Sequence, residues 1–418
     1  MKVVFLTLGS RGDVQPYVAL AKELVKSGHE ALVCTGASFR GLILENDVGF
    51  HEATADLMAI LESEEGRKVF NGGQYNILKM LNYAKEVITP AYRRSMDDFL
   101  DASKGSDLII YHPKALGAVD IAAYLNIPCI CMPPIPIVYP IPDFPSIVVS
   151  SKRNFGPFLN KLSYKATSLG EASYMKEIND FRKKSLQLLK RKSGEFAFKV
   201  SGKSIPIVYP ISPFLFKEVE GWRDKVFLPG FFFLDLGEVE LNDELEKFLI
   251  SGEKPIVVSF SSMPLKNPTL FKDKLIKALK ETGNRAVVLT GTSGMAFENE
   301  EKIFTVNQAP HRLIFKKAKA IIHHGGVGTT SEALLSGAPQ LIMPFTVDQP
   351  FWAQRLYSKG YTISPLKEKN LETSDLVEAL KEMENDQYIR KAEEIKNIIE
   401  SEKGLEKAVK YIERVVLK

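Results

Sequence analysis

Short runs of consecutive apolar residues alternate along this chain with stretches whose apolar positions recur every three or four residues. Val3 to Leu8, His29 to Thr35, Asp107 to Tyr111 and Pro128 to Met132 read as buried strands. Between the first two, Gln15 to Ser27 places Val18, Leu20, Ala21, Leu24 and Val25 at helical spacing and stops at Gly28. Ala115 to Leu125 reads as a further helix. The second half repeats the pattern. Strands are predicted at Pro255 to Phe260, Arg285 to Thr290, Ile303 to Val306, Ala320 to Ile322 and Leu341 to Pro344. Helices are predicted at Pro268 to Thr282, from Ser331 to a stop at Gly337, at Asp386 to Ser401 and at Lys403 to Leu417. Strand and helix alternating at this spacing predict parallel, doubly wound α/β sheets, one in each half.

Three stretches break the alternation. Glu52 to Leu100 is charged and mostly helical in pattern. Pro133 to Phe158 holds seven prolines among Ile, Val, Tyr and Phe, which excludes a central strand or a helix interior. Two readings fit it: the wall or lid of a pocket for an apolar molecule, favoured because loops at this sheet edge carry ligand sites, or a loop packed on its own domain. Asn154 to Leu189 then reads as basic amphipathic helices, ordinarily a solvated face, with a membrane surface as the alternative. Ser212 to Leu234, with Trp222 and the run Phe231 to Phe233, has no clean period. The expected layout is an N-terminal domain over 1–213, a linker over 214–240, a C-terminal domain over 241–402 and a last helix, about 403–418, that packs back on the first domain.

Composition adds exclusions. With 418 residues, 45% hydrophobic and 25% charged, the chain fits a globular protein of two or three domains. Its net charge of +4 is too small to argue for nucleic acid and leaves room for weak attraction to anionic membrane surfaces. Cys34, Cys129 and Cys131 make neither a disulfide framework nor a zinc site. The start, broken by Arg11, is too short for a signal peptide, and no run of about 18 apolar residues spans a membrane. A reduced cytoplasmic chain, peripheral to a membrane at most, is the expectation.

Candidate chemistry concentrates between Lys319 and Gln354. A strand leads into His323, His324, Gly325, Gly326 and Gly328, then into Thr329, Thr330 and a helix. Glycines let the backbone approach an anion, and the amides of the first helical turn point at it. His324, Thr329 and Thr330 add side-chain donors. No Lys follows, so this is not a Walker loop, and it is not G-x-G-x-x-G. Glu332 stands one turn into the helix, where a carboxylate reaches a ribose hydroxyl pair. Asp348 and Gln349 follow the next strand, where α/β sheets bind ligands. Phosphate donors, a ribose acceptor and a hydroxyl-binding pair in this order suit a nucleotide sugar. At the other end, Gly9 to Asp13 forms a turn at the carboxyl end of the first strand, another such site, with Gly9 and Ser10 assigned to the donor.

The string HHGGVGTT followed by PFTVDQPFWA resembles the donor-binding signature of family 1 glycosyltransferases, closest to the sterol glucosyltransferase and antibiotic glycosyltransferase branch. GSRGDVQP resembles the N-terminal motif of the same branch, so the resemblance covers about the whole chain. It implies the GT-B fold, two Rossmann-like domains facing each other across a cleft, the second binding the nucleotide sugar and the first the acceptor. It implies inverting transfer of a hexose to a hydroxyl, with Asp13 matching the proposed general base. Gln308 and Ala309 match the loop that holds the base of the nucleotide, and Ser261 and Ser262 the loop beside the phosphates, where the family's glycine is replaced by Ser261. His112, at a strand end, either orients the acceptor or Asp13 or is a packed histidine. The chain has no D-x-D, so no metal and no cofactor are expected, the helix dipole taking the metal's place. Glu332 favours a UDP-sugar, UDP-glucose above all, over a dTDP-sugar, which lacks the 2′-hydroxyl. The acceptor is expected to be an apolar molecule such as a sterol, triterpenoid, polyphenol, macrolide or lipid. A non-catalytic nucleotide-sugar or lipid binder of the same fold is the alternative from another class.

Overall fold

The computed structural model describes residues 1–70, 77–151, 153–196, 198–216, 218, 222, 226–235, 237, 239–261, 263–295 and 299–416. The chain forms two compact units, one of 1–149, 154–235 and 403–418, the other of 150–153 and 236–402. Fourteen strands are described: β1 (Lys2–Leu6), β2 (Glu30–Thr35), β3 (Gly49–Glu52), β4 (Leu108–Tyr111), β5 (Cys129–Cys131), β6 (Lys199–Val200), β7 (Lys203–Ser204), β8 (Ile207–Val208), β9 (Val226–Phe227), β10 (Ile256–Ser259), β11 (Ala286–Leu289), β12 (Ile303–Val306), β13 (Ala320–His323) and β14 (Gln340–Ile342).

In the first unit the sheet order is β3-β2-β1-β4-β5-β8-β9, parallel throughout. β6 and β7 form a separate antiparallel hairpin. Near-continuous apolar runs such as Val3 to Leu6 and Leu108 to Ile110 are fully buried, as a sheet covered on both faces requires. The helix Arg11–Lys26 packs Val14, Tyr17, Val18 and Leu24 into that core, and the terminal helix Gly404–Val416 adds Ala408, Val409 and Ile412 to it. Tyr411 stacks on Phe227 with ring centroids 4.5 Å apart. The stretch read from sequence as a linker therefore supplies this sheet's last strand, β9. Trp222, fully buried, also lies within that stretch and meets Phe144 and Phe216.

The described residues of the Pro-rich run between Met132 and Gly156 form neither helix nor strand. The amides of Val138 and Tyr139 donate to the Tyr209 hydroxyl, and the Trp222 indole donates to Asp143 at 3.2 Å. Much of this loop is thus packed on its own unit, with Ile141, Phe144 and Ile147 buried.

The second unit repeats the plan with order β12-β11-β10-β13-β14, again all parallel. In each sheet the chain winds outward from its first strand, then returns to that strand's other side. The points of reversal lie between β1 and β4 and between β10 and β13. Open α/β sheets bind ligands at such points, beyond the carboxyl ends of the strands.

Candidate active site

After β1 the chain runs through Thr7, Leu8 and Gly9 into the helix that begins at Arg11. The expected turn over Gly9 to Asp13 is therefore shorter, and Asp13 is the third helical residue. Ser10 is the N-cap. Its amide donates to Asp13 Oδ2 at 2.8 Å and its hydroxyl lies 3.1 Å from the same oxygen, the reciprocal half of a capping box. Gly9 has φ +139°, and a Cβ there would lie 2.2 Å from Asp13 Oδ2. The missing side chain of Gly9 is the space that the Asp13 carboxylate fills. Gly9 and Ser10, expected at the donor, are engaged with Asp13.

His112 follows β4, the strand paired with β1, and its amide donates to Leu6 O at 2.9 Å. Its ring is buried. The Lys114 amide donates to His112 Nδ1 at 2.9 Å, so Nδ1 is an acceptor and a neutral ring carries its proton on Nε2. Nε2 lies 3.2 Å from Asp13 Oδ1. Burial opposes the Asp13 charge, but the hydrogen bond and charge of His112 and the Lys114 ammonium outweigh it and hold the carboxyl well below the ordinary range. Burial pulls His112 below its ordinary value, against the attraction of Asp13. At neutral pH the pair is a carboxylate and a neutral imidazole.

Lys114 escaped the sequence reading. Its ammonium is 2.9 Å from Asp13 Oδ2, bridging 101 positions of sequence. It stabilises the carboxylate and disfavours a cationic His112, so its removal raises both groups. We expect the acid limb of kcat/KM to lie below pH 6.5, the ordinary histidine value, and to move upward in Lys114→Met. Matching profiles for the two proteins would show that Lys114 does not act on the pair.

In the second unit, β13 ends at His323 and the helix Val327–Ser336 starts four residues later, with Gly326 as N-cap. That helix begins before the expected Ser331, so Gly328, Thr329 and Thr330 are first-turn residues rather than turn residues. Gly325 has φ +89°, and a Cβ at Gly326 would lie 2.5 Å from His324 Nε2. The glycines thus bring the His324 ring against the backbone at the helix start. The first-turn amides, those of Gly328 and Thr329 among them, have no intrahelical acceptor, so the site presents donors and a positive dipole end. Burial pulls His324 down to about 4, opposed by a hydrogen bond to the neighbouring Ser259 backbone, so this ring is neutral at pH 7. His324 Nδ1 and Thr330 Oγ1 are buried with no partner within the protein. An anion with several acceptor oxygens suits the free first-turn amides. His323 differs: fully buried, it meets Gln340 Oε1 at 2.8 Å and accepts from the Gly325 amide at 3.2 Å, a packing role.

Asp348 Oδ2 accepts from the Val327 amide at 3.3 Å, tying the loop after β14 to the same helix start. Gln349 is buried, and its Oε1 accepts from the amides of Phe345 and Thr346 at 2.8 and 3.1 Å, which leaves its amide nitrogen for other work. Glu332 is held by Arg312 through two bonds, at 2.5 Å to Nε and 2.7 Å to Nη2. Arg312 is the second residue missed from sequence. A ribose contact at Glu332 must use the carboxylate lone pairs that Arg312 leaves. Ser261 has φ +52°, the backbone region that favours the glycine it replaces. Ser262 lies outside the described residues. Gln308 is exposed and Ala309 packs against the second unit's core, both on the loop between β12 and the helix His311–Phe315.

Asp13, Gly9, Ser10 and His112 therefore come together in one unit. His324, Gly326, Gly328, Thr329 and Asp348 come together in the other. Among the described residues no group of three or more His, Cys, Asp or Glu could hold a metal ion, and no helix is long and apolar enough to cross a membrane.

Residues 3–100 match the model of the glycosyltransferase family 28 N-terminal domain, and residues 293–411 that of the erythromycin biosynthesis protein CIII-like C-terminal domain. The chain is 32% identical to a sterol 3-beta-glucosyltransferase of Arabidopsis thaliana over 98% of its own length and 65% of that protein. It is 30% identical to a second from the same plant, over 99% of this chain and 68% of the relative. The sterol 3-beta-glucosyltransferase of Komagataella phaffii is 29% identical over 98% of this chain, which spans 34% of it. The chain thus spans about two thirds of its plant relatives and about a third of the yeast one. Among solved structures, the glycotransferase of kitacinnamycin superposes with a TM-score of 0.72 at 16% identity, covering 99% of this chain and 98% of that one. Spinosyn forosaminyltransferase gives 0.68 at 16% identity, with 100% of each chain covered. At such identities the likeness shows the fold, the GT-B fold expected from the motifs.

Proposed function

Because this chain belongs to the glycosyltransferase family that contains the sterol 3-beta-glucosyltransferases, we propose that it moves a hexose, with inversion, from a nucleotide diphosphate sugar to the hydroxyl of an apolar acceptor. The donor we assign is UDP-glucose and the acceptor class is sterol-like. The observation that carries this reading is Asp13, fixed at a point of sheet reversal by Ser10, His112 and Lys114 in the space that Gly9 vacates.

Inversion needs one base on the acceptor side. The acceptor oxygen attacks the anomeric carbon, the bond from that carbon to the diphosphate oxygen breaks, and the hydroxyl proton passes to Asp13. His112 holds the carboxylate through Nε2–H and stays neutral. The departing diphosphate takes the bonding electron pair. Its charge is met by the helix start at Gly326 to Thr329 and by neutral His324. No proton has to be supplied to a diphosphate leaving group, so the second unit need only supply hydrogen-bond donors at this helix start.

The test is a product screen by mass spectrometry, with UDP-glucose offered alongside a panel of apolar hydroxyl compounds. A mass gain of one hexose on a sterol-like compound is expected. UDP release with no glycoside in any arm would overturn the acceptor class.

Glu332 tests the donor. If its remaining lone pairs accept from both ribose hydroxyls, UDP-glucose gains a charge-assisted bond that dTDP-glucose lacks, about 1.5–3 kcal/mol or a factor of roughly 10 to 100. Glu332→Ala should narrow the kcat/KM ratio of the two donors by that factor. An unchanged ratio would mean that Glu332 serves only to hold Arg312, which favours the runner-up reading of a transferase that accepts dTDP-sugars.

A further inference from the structure

The helix Pro157–Ser163 is built inside out. Asn160 is fully buried: its Nδ2 donates to Pro142 O at 2.8 Å and to Asn154 Oδ1 at 2.7 Å, and its Oδ1 accepts from the Phe155 amide at 3.0 Å. Ser163 Oγ accepts from the Ser146 amide at 2.7 Å, and Tyr164 is buried beside them. The apolar residues point the other way. Phe158 is 79% exposed, and Leu159 and Leu162 are exposed with it. Tyr164 keeps helical angles, φ −67° and ψ −15°, so the next helix, Lys165–Ala172, runs on nearly unbroken. Counting about 100° per residue from Phe158, Leu169 falls near 20°, Leu162 near 40° and Leu159 near 100°, while Asn160 and Tyr164 fall near 200° and 240°. Leu169 is 68% exposed, on the same outward stripe. Lys161 and Lys165 fall at about −60° and −20° on that wheel and are exposed.

The charge of this stretch has one sign. From Phe144 to Gly170 the basic residues are Lys152, Arg153, Lys161 and Lys165, and there is no Asp or Glu. The first acid beyond, Glu171, is already paired with Arg191 at 2.7 Å. A partly exposed apolar stripe with lysines inside it, its one adjoining acid, Glu171, already paired, is the composition of a helix that lies in a lipid interface, apolar side chains among the acyl chains and ammonium groups at the phosphates. A second copy of this basic surface would bring like charges together, which argues against self-association.

We propose that the continuous helical face of Phe158, Leu159, Leu162 and Leu169, flanked by Lys161 and Lys165, docks this protein on an anionic lipid surface. The contact is peripheral. It would bring the first unit, which carries Asp13, to the phase in which a sterol-like acceptor is dissolved. That purpose rests on the proposed acceptor; the surface itself does not.

The experiment is flotation of the full chain with vesicles of phosphatidylcholine, with and without phosphatidylserine, read without donor or acceptor so that its outcome is independent of glycosyl transfer. The wild type should float with the anionic vesicles and much less with neutral ones or in high salt. Leu162→Ser/Leu169→Ser and Lys161→Glu/Lys165→Glu should each lower the bound fraction tenfold or more at unchanged thermal midpoint. Failure of the wild type to float would overturn the proposal. So would binding of both double variants at the wild-type level, or light scattering showing a wild-type dimer that Leu162→Ser/Leu169→Ser abolishes.

Discussion

Asp13→Asn should lower turnover by roughly 10²-fold or more while leaving nucleotide-sugar binding intact, the loss expected when a general base is removed. The change keeps the shape of the side chain and deletes its charge. Oδ2 now accepts from the Ser10 amide and lies within reach of the Ser10 hydroxyl and the Lys114 ammonium, while Oδ1 faces His112 Nε2. An asparagine has one acceptor oxygen for these donors. Its oxygen either stays with Ser10 and turns an NH2 toward His112 Nε2–H, or turns to His112 and sets its NH2 against Lys114. Neither arrangement supplies a proton acceptor to a hydroxyl. The elements proposed to hold the donor belong to the other unit and share no residue with this network, so calorimetric affinity for UDP should not change. Near wild-type turnover would remove Asp13 from the mechanism, and a fall in UDP affinity alone would place its role at the donor.

Most central strands and the parallel, doubly wound arrangement were legible because a parallel sheet covered on both faces writes itself as apolar runs separated by helical periods, whereas β3 and β9 were not. Helix starts that follow a glycine-rich turn were not, although those at Pro268 and Asp386 were. Glycine and threonine look like turn residues, so the pattern puts the helix start at Ser331, four residues after Val327, and that of the first helix at Gln15, although it begins at Arg11. A signal was present: Ser10 followed three residues on by Asp13 is a capping box, which fixes the start and explains why a proposed base sits on a helix rather than on a loop. The two cations missed, Lys114 and Arg312, have no such signal. They meet carboxylates 101 and 20 positions away, pairings set by the neighbouring strands β1 and β4 for Lys114 and by the packing of two helices for Arg312. The helix Pro157–Ser163 misleads in another way. The pattern reads as an amphipathic helix with a solvated face, but the polar bonds of Asn160 claim the inside and leave the apolar side outward, and periodicity alone cannot say which side of a helix the protein keeps.

Gly9→Ala should be nearly as costly to turnover as losing the carboxylate, though the residue carries no chemistry. Two separate terms act. The backbone at φ +139° is one that a side chain rarely adopts, a cost of roughly 1–3 kcal/mol. The added Cβ also lies 2.2 Å from Oδ2, 2.6 Å from Cγ and 2.9 Å from Cβ of Asp13. These are the root and head of one short side chain, so no flexible tip can yield. The carboxylate must rotate away, leaving Ser10 and His112 at once. Relief through the backbone would instead drag the N-cap from the helix. The expected result is a fall in kcat of roughly 10²-fold, comparable with Asp13→Asn, and a lower thermal midpoint. A double-mutant cycle separates the terms. In an Asp13→Ala background the two nearest atoms are gone, so Gly9→Ala should cost clearly less stability there than in the wild type, by the steric share alone. Equal costs in both backgrounds would mean that the glycine serves only its own backbone. A Gly9→Ala enzyme turning over at the wild-type rate would show that Asp13 does not need this position to act.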